Sequence, residues 1–250
     1  MLILLLRKDF SGMIKTLQPK GRRNLPTALL QFGRHLVYAE GTKTEPYYIE
    51  SIKKAIAEKY QCEPNEIQIL PAGDGKSYNT TGLVRFVFQD VKKRLENKEK
   101  IDHVWVFFDK DDFPIKRFLE AHEMIEKMND SHTKNNDGFF YNTETNISWH
   151  SCFSNEAFEL WYCLYFSSIK TTMHRKEYIA FLNQNLKKGA YSKTRQDMHQ
   201  YLTSNGGNIQ KAIARAKKLS GLKERYNPST GVYQFAEYFL AYMKQAKNKK

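Results

Sequence analysis

The residues of this sequence best suited to chemistry are carboxylates that follow predicted strands. Glu40 comes directly after the apolar segment 35–39, and Asp109 and Asp111 come directly after the apolar segment 104–108. Clustered carboxylates repel one another and are costly to desolvate unless a cation joins them. Oxygen ligands of this kind suit Mg²⁺ or Mn²⁺, which keep several waters and bridge to substrate phosphates. The pattern indicates a divalent metal site, with ordinary caps and turns at strand ends as the alternative.

Two strand–helix units in succession are expected to position these carboxylates. A strand at 35–39 is followed by a helix that begins near Thr44, and a strand at 66–70 by a helix with apolar residues at four-residue spacing from 83 to 95. The uninterrupted apolar run 104–108 is typical of a strand covered on both faces. Repeated β-α-β units imply right-handed crossovers and a mostly parallel sheet. We therefore predict an α/β fold whose sheet is flanked by helices, with the site at the carboxyl ends of the strands.

The second half of the chain is predicted to be mainly helical. A further strand is expected at 147–150, and Ser154 or Asn155 has the side chain of an N-cap for the helix that follows, through Phe166. Other helices are predicted near 115–128, 175–187, 195–203, 207–219 and 231–246, and a surface loop at 129–138. We expect a flexible basic N-terminal arm at 1–33, an α/β core at 34–168 and a basic helical region at 169–250 packed on that core.

The charge of the chain favours a polyanionic partner. The formal net charge is +13, and residues 151–250 hold 17 basic and 6 acidic side chains. Lysine and arginine neutralise phosphates and release their condensed counterions, so nucleic acid is the expected partner. A basic surface that merely keeps the protein soluble is the alternative.

Several other classes of protein are disfavoured. Three cysteines without a C-x-x-C pair argue against a disulfide framework and a zinc ribbon, and a reducing compartment fits best. The apolar run 1–6 is far shorter than the ~20 residues that span a bilayer, so we expect a cytoplasmic protein with no membrane partner. The segment 73–77 ends like a Walker A loop but lacks its first glycine, because Leu70 stands there. His150 and Cys152 could suggest a thiol nucleophile, but core packing is favoured.

Four segments together resemble the RloB-like (AbiLii-like) family. They are 40–48, with the pattern E-G-x-x-T-E-x-x-Y, the D-K-D of 109–111, the stretch 154–161 and the N-P-S-T of 227–230. The resemblance extends from residue 36 to about 240. It implies a Toprim-like catalytic core associated with restriction-modification and abortive-infection loci, often beside an ATPase partner. The family usually has proline where this chain has Glu156, a departure that leaves the candidate ligands untouched.

The resemblance also implies roles for particular carboxylates. In the Toprim pattern Glu40 is a metal ligand or the base that activates a water, and Asp109 and Asp111 are Mg²⁺ ligands. Glu45 is expected mainly to balance the dipole of the helix that it begins, with a position behind the metal ligands as the alternative. Asp112 is expected to be solvated.

Two further residues are candidates for the site. Glu159 lies among aromatic and apolar residues, which predicts burial, and a buried carboxylate requires a cation or hydrogen-bond donors. It is therefore a candidate fourth metal ligand. Lys193 could stabilise charge on a scissile phosphate or protonate a leaving oxygen, with a plain phosphate contact as the alternative.

The leading hypothesis is a Mg²⁺-dependent (or Mn²⁺-dependent) nuclease that cleaves RNA, including tRNA, or DNA in phage defence. The alternative is a non-catalytic subunit that binds nucleic acid or an ATPase partner. Phosphoryl transfer of the primase type is a third possibility, disfavoured because no nucleotide-binding loop is evident. Assembly into a homo-oligomer is left open. The catalytic candidates are Glu40, Asp109, Asp111 and Lys193, and the metal-ligand candidates are Glu40, Asp109, Asp111 and Glu159.

Overall fold

The fold is described by a computed structural model of the chain. It describes residues 33–60, 67–71, 79–129, 147–220 and 227–247. Residues 1–32 of the predicted basic arm, the segment 73–77 and the predicted loop at 129–138 beyond Asn129 lie outside the described residues. The division into an arm, a core and a helical region stays a prediction.

Five strands form one sheet. They are β1 (His35–Ala39), β2 (Ile67–Pro71), β3 (His103–Asp109), β4 (Ser148–Asn155) and β5 (Ser229–Thr230). The order across the sheet is β2-β1-β3-β4-β5; the first four strands are parallel and β5 is antiparallel to β4. The prediction of an α/β fold with a mostly parallel sheet is confirmed.

Eight helices flank the sheet in the described part of the chain. They are α1 (Thr44–Tyr60), α2 (Thr80–Glu96), α3 (Ile115–Met128), α4 (Glu159–Leu164), α5 (Arg175–Asn185), α6 (Met198–Ser204), α7 (Ile209–Ser220) and α8 (Val232–Lys247). Each of them lies where the sequence predicts a helix. None of these helices is both long and apolar enough to cross a membrane.

The two faces of the sheet bury two separate apolar cores. Alternate residues of a strand point to opposite faces. Val37 of β1 and Phe107 of β3 belong to one core, together with α1 and the helices from α4 onwards. Leu36 and Val106 belong to the other, which α2 and α3 cover. The uninterrupted apolar runs of β1 and β3 are thus explained by helices on both faces.

The predicted helix caps at Ser154 and Asn155 are wrong, because both residues belong to β4. This strand continues well beyond the predicted 147–150, and α4 begins only at Glu159 and ends at Leu164. Ser154 pairs with Asp109 on one side and with Thr230 on the other. A strand with neighbours on both sides has its backbone groups engaged, so they cannot take the geometry of a helix N-terminus.

Candidate metal centre at the carboxyl end of the sheet

Glu40 and Asp109 are brought together by the pairing of β1 with β3. The two strands are parallel neighbours, with Ala39 opposite Phe107. The backbone N–H of Glu40 donates to the Phe107 carbonyl oxygen at 3.0 Å, and the backbone N–H of Asp109 donates to Oε2 of Glu40 at 3.2 Å. The predicted meeting of these carboxylates at one edge of the sheet is therefore found in the structure.

Asp109 is buried at the end of β3 and has one oxygen without a hydrogen bond. Its side chain is buried, with the residue 8% exposed, and Oδ2 accepts a hydrogen bond from the backbone N–H of Phe158 at 3.0 Å. Oδ1 is also buried and has no hydrogen-bond partner among the described residues. Burial raises the pKa of Asp109 well above its usual range, and the charges of Glu45 and Glu159 raise it further. A buried carboxylate oxygen without a donor is a place for a cation.

Glu45 enters the same cluster from the first turn of α1. The residue is only 5% exposed. Its Oε2 lies over Gly41 so closely that a Cβ atom at that position would collide with it. Burial raises the pKa of Glu45 to about 7, and the charge of Glu159 also raises it. Glu45 does lie in the first helical turn, as predicted, but its neighbours favour the alternative in which it belongs to the site.

Glu159 and Lys193 meet on the other side of the cluster. Glu159 begins α4 and is 2% exposed, which confirms its predicted burial. The hydroxyl of Tyr191 donates to its Oε1 at 2.9 Å, and Lys193 Nζ lies 3.7 Å from the same oxygen. Lys193, the predicted phosphate-contacting residue, therefore lies beside Glu159.

Glu40, Glu45, Asp109 and Glu159 are called the acidic cluster below. The charges of Glu45 and Glu159 act on Asp109, and the charge of Glu45 acts on Glu40. Burial raises the pKa of Glu40 to about 7, although the hydrogen bond from Asp109 N–H opposes this rise. A carboxyl group that titrates near neutrality can accept or release a proton at working pH.

Asp111, the second aspartate of the D-x-D pattern, pairs with Arg175. It follows β3 with a φ of 46°, and its backbone N–H donates to the Glu156 carbonyl oxygen at 2.9 Å. Its Oδ1 contacts the guanidinium of Arg175, which also lies 3.9 Å from Oδ2 of Asp109. In the structure, the guanidinium of Arg175 is thus the cation that joins Asp109 and Asp111. Sequence reasoning did not single out Arg175, since no motif connects it with residues more than sixty positions earlier.

The donor set of the acidic cluster fits a divalent metal ion. The four carboxylates offer only hard oxygen ligands, the kind that Mg²⁺ and Mn²⁺ bind, and one of these oxygens, Asp109 Oδ1, has no hydrogen-bond donor. Burial and the mutual repulsion of the carboxylates would both be relieved by a bound cation. Because every member is a carboxylate, the cluster offers no nitrogen or sulfur atom that would favour zinc.

A second group that could hold a metal ion lies nearby. Its members are Asp112, Glu156 and His174, whose ligand atoms lie within 4.8 Å of one another, a spacing that the acidic cluster does not reach. Asp112 is exposed, as predicted. His174 caps α5, because its Nδ1 accepts a hydrogen bond from the backbone N–H of Lys176 at 3.3 Å. A neutral ring that accepts at Nδ1 carries its proton on Nε2, and this Nε2 lies 3.8 Å from Glu156 Oε1. Metal ligation through Nε2 would cost this cap, and we therefore favour the acidic cluster.

The thiol alternative is excluded by packing. Cys152 is fully buried, and burial raises the pKa of its thiol well above the usual range. The ring of His150 is stacked on Trp105 with 3.6 Å between centroids. Cys152 belongs to the core and His150 packs against it through Trp105, in line with the predicted packing role.

Comparison with known protein families finds a match over most of the chain. The model of the family described as RloB-like protein matches residues 35–238, which is most of the chain and includes all the residues of the acidic cluster. No curated protein and no solved structure shows significant similarity.

Proposed function

Because the chain belongs to the RloB-like family, we propose that it is a Mg²⁺-dependent nuclease that cleaves the phosphodiester backbone of nucleic acid in phage defence. One observation carries the proposal: Asp109 has a buried oxygen without a donor and belongs to a cluster of carboxylates at the carboxyl end of a parallel sheet. This end is where open α/β sheets bind their ligands. The resemblance of the 40–48 and 109–111 segments to the RloB-like family, which implies a Toprim-like core, supports the same chemistry.

The acidic cluster would hold the metal ion. Asp109 would be a ligand, Glu40, Glu45 and Glu159 would offer further oxygens, and Asp111 could join when Arg175 leaves it. A bound divalent ion would lower the pKa of its water and neutralise charge on the phosphate. In the alternative in which Glu40 does not bind the ion, its carboxylate would accept the proton of the attacking water, a role that a pKa raised to about 7 by burial favours.

Cations of the C-terminal region would bind the substrate. Lys193 lies beside Glu159 and is close enough to the cluster to stabilise charge on the phosphate or protonate the leaving oxygen. The segment between α5 and α6 also carries Lys187, Lys188 and Arg195. Such cations would neutralise the phosphates of a bound nucleic-acid strand and release the counterions condensed on it.

A non-catalytic subunit is the second candidate function, and one contact favours it. Arg175 already neutralises part of the charge of Asp109 and Asp111, so the acidic site could be structural. In that case the basic surface would dock nucleic acid or an ATPase partner without any hydrolysis.

Cleavage of a mixed substrate panel separates the two functions. Plasmid DNA, single-stranded DNA and total tRNA are incubated with Mg²⁺ or Mn²⁺ and the wild type, Glu40→Gln or Asp109→Asn. We expect the wild type to cleave one substrate class, both variants to be inactive, and the control variant Asp112→Asn, which changes an exposed carboxylate of the same loop, to retain activity. A wild type that binds nucleic acid but cleaves nothing with either ion would support the non-catalytic subunit.

A further inference from the structure

We propose that Arg175 is the built-in counter-ion of the acidic site, which a divalent ion displaces from Asp109 and Asp111 and which then contacts a substrate phosphate. The inference rests on the function proposed above and adds to it a residue and an order of events. The guanidinium of Arg175 contacts Asp111 and lies 3.9 Å from Asp109. These are the two carboxylates of the D-x-D pattern that a metal ion would also use.

The backbone of Arg175 is held in place while its side chain spans the gap to the site. Arg175 is the first residue of α5, directly after the N-cap His174. The backbone N–H of His174 donates to Oε2 of Glu177 at 2.6 Å, and the ring of His174 accepts the N–H of Lys176, which together form a capping box. A long side chain on a fixed backbone can leave one carboxylate and reach another group without any change in the fold.

The charge of Arg175 also acts on two carboxylates beyond the aspartates that it contacts. It opposes the burial that raises the pKa of both Glu40 and Glu45. Arginine stays protonated in proteins, so its charge cannot be removed by titration. A divalent ion on the same carboxylates would repel the guanidinium, and the two cations must therefore compete.

The guanidinium remains able to bind a further acceptor. Its Nε is buried and has no hydrogen-bond partner among the described residues, while the side chain as a whole is 32% exposed. The planar arrangement of its donors matches phosphate oxygens, which it can bind in pairs. Once released from Asp111, Arg175 would still lie beside Asp109, within reach of a phosphate bound to a metal ion on that carboxylate.

Metal affinity tests the competition. Binding of Mn²⁺ to the full chain is measured by electron paramagnetic resonance for the wild type, Arg175→Gln and Arg195→Gln. The Arg195 side chain is a matched control because it is 31% exposed, lies in the same region and pairs with Asp197 instead of the site. We expect Arg175→Gln to bind Mn²⁺ about fivefold more tightly, the size expected for removing partly exposed ion pairs that the metal must break. Equal tightening in both variants, or none in either, would overturn the competition.

Nucleic-acid affinity tests the release. Binding of a fluorescent single-stranded oligonucleotide is measured in EDTA and in Ca²⁺, which takes oxygen ligands as Mg²⁺ does. We expect Arg175→Gln to weaken binding severalfold in Ca²⁺ and to leave it unchanged in EDTA, where Arg175 is engaged by Asp111. Equal effects in both buffers would contradict the release.

Mn²⁺ binding distinguishes failure of the metal nuclease from failure of the role of Arg175. A wild type that binds no Mn²⁺, or binds it equally well after Asp109→Asn, would overturn the metal nuclease and the role of Arg175 together. Normal Mn²⁺ binding that is lost in Asp109→Asn but unaltered in Arg175→Gln would overturn the role of Arg175 alone.

Discussion

Glu45→Gln removes one charge from the acidic cluster and keeps the shape of the side chain. The carboxylate is buried beside Asp109 and Glu159, and its Oε2 lies against Gly41. In the metal-free protein we expect this substitution to stabilise the fold, because the ionised carboxylate is disfavoured there by burial and by the charge of Glu159. Buried carboxylates that destabilise a fold are characteristic of a site built for a cation.

The magnitude follows from the pKa of Glu45, which burial raises from its ordinary 4.5 to about 7. A group whose pKa is raised in the folded state binds more protons there, so the free energy of unfolding falls as pH rises from 4.5 to 7. Each unit of pKa corresponds to about 1.4 kcal/mol, so at pH 8 the ionised Glu45 costs about 3 kcal/mol. Glu45→Gln should therefore gain about 3 kcal/mol at pH 8, equivalent to about 6–12 °C in Tm, and little near pH 4.5.

Urea unfolding in EDTA at pH 5 and at pH 8 measures this gain. The matched control is Glu50→Gln on the same helix, where an exposed carboxylate pairs with Lys53 and the effect should be near zero. Saturating Mg²⁺ should stabilise the wild type more than Glu45→Gln, since a ligand is missing in the variant. A variant that is less stable than the wild type at pH 8 in EDTA would refute the reasoning, because it would show that the cluster is already balanced without a metal ion.

Three further substitutions test particular contacts. Gly41→Ala places a Cβ atom against Oε2 of Glu45 and should weaken Mn²⁺ binding about tenfold, measured by calorimetry; unchanged affinity would contradict the close approach. His122→Asn removes a half-buried imidazole whose pKa is lowered to about 4 by desolvation, so as the pH falls from 6.5 to 5 the stability advantage of the wild type should shrink by about 1.4 kcal/mol per pH unit. A constant difference over that range would show that His122 titrates normally. Gly231→Ala would drive a Cβ atom into the backbone oxygen of Ser151 and should cost about 2 kcal/mol in urea unfolding, whereas a neutral effect would show that the strand can shift.

The meeting of Glu40 with Asp109 could be predicted from the sequence because it depends on local rules. Two apolar runs, each followed by a helix, predict parallel strands, and the carboxyl ends of parallel strands lie at one edge of a sheet. The burial of Glu159 was equally predictable, since its neighbours in the sequence are large apolar residues.

The rest of the site depends on contacts between distant segments. Arg175 and Tyr191 reach the carboxylates only because the chain after α4 folds back over the carboxyl end of the sheet. Nothing in their spacing indicates this. The first-turn position of Glu45 has an ordinary electrostatic explanation, so its burial in the cluster could not be read from the helix pattern. Ser154 and Asn155 likewise have the side chains of helix caps, and pairing with two neighbouring strands overrides that preference.

The position of a bound Mn²⁺ ion tests the metal centre most directly. Crystals grown with Mn²⁺ are measured for anomalous scattering, which locates the ion without reference to activity. We expect a peak within coordination distance of Asp109 Oδ1, with Glu40 or Glu45 as a further ligand, and no such peak in Asp109→Asn. A peak at Asp112, Glu156 and His174 alone, with the acidic cluster empty, would contradict the assignment of the buried carboxylates as the metal site.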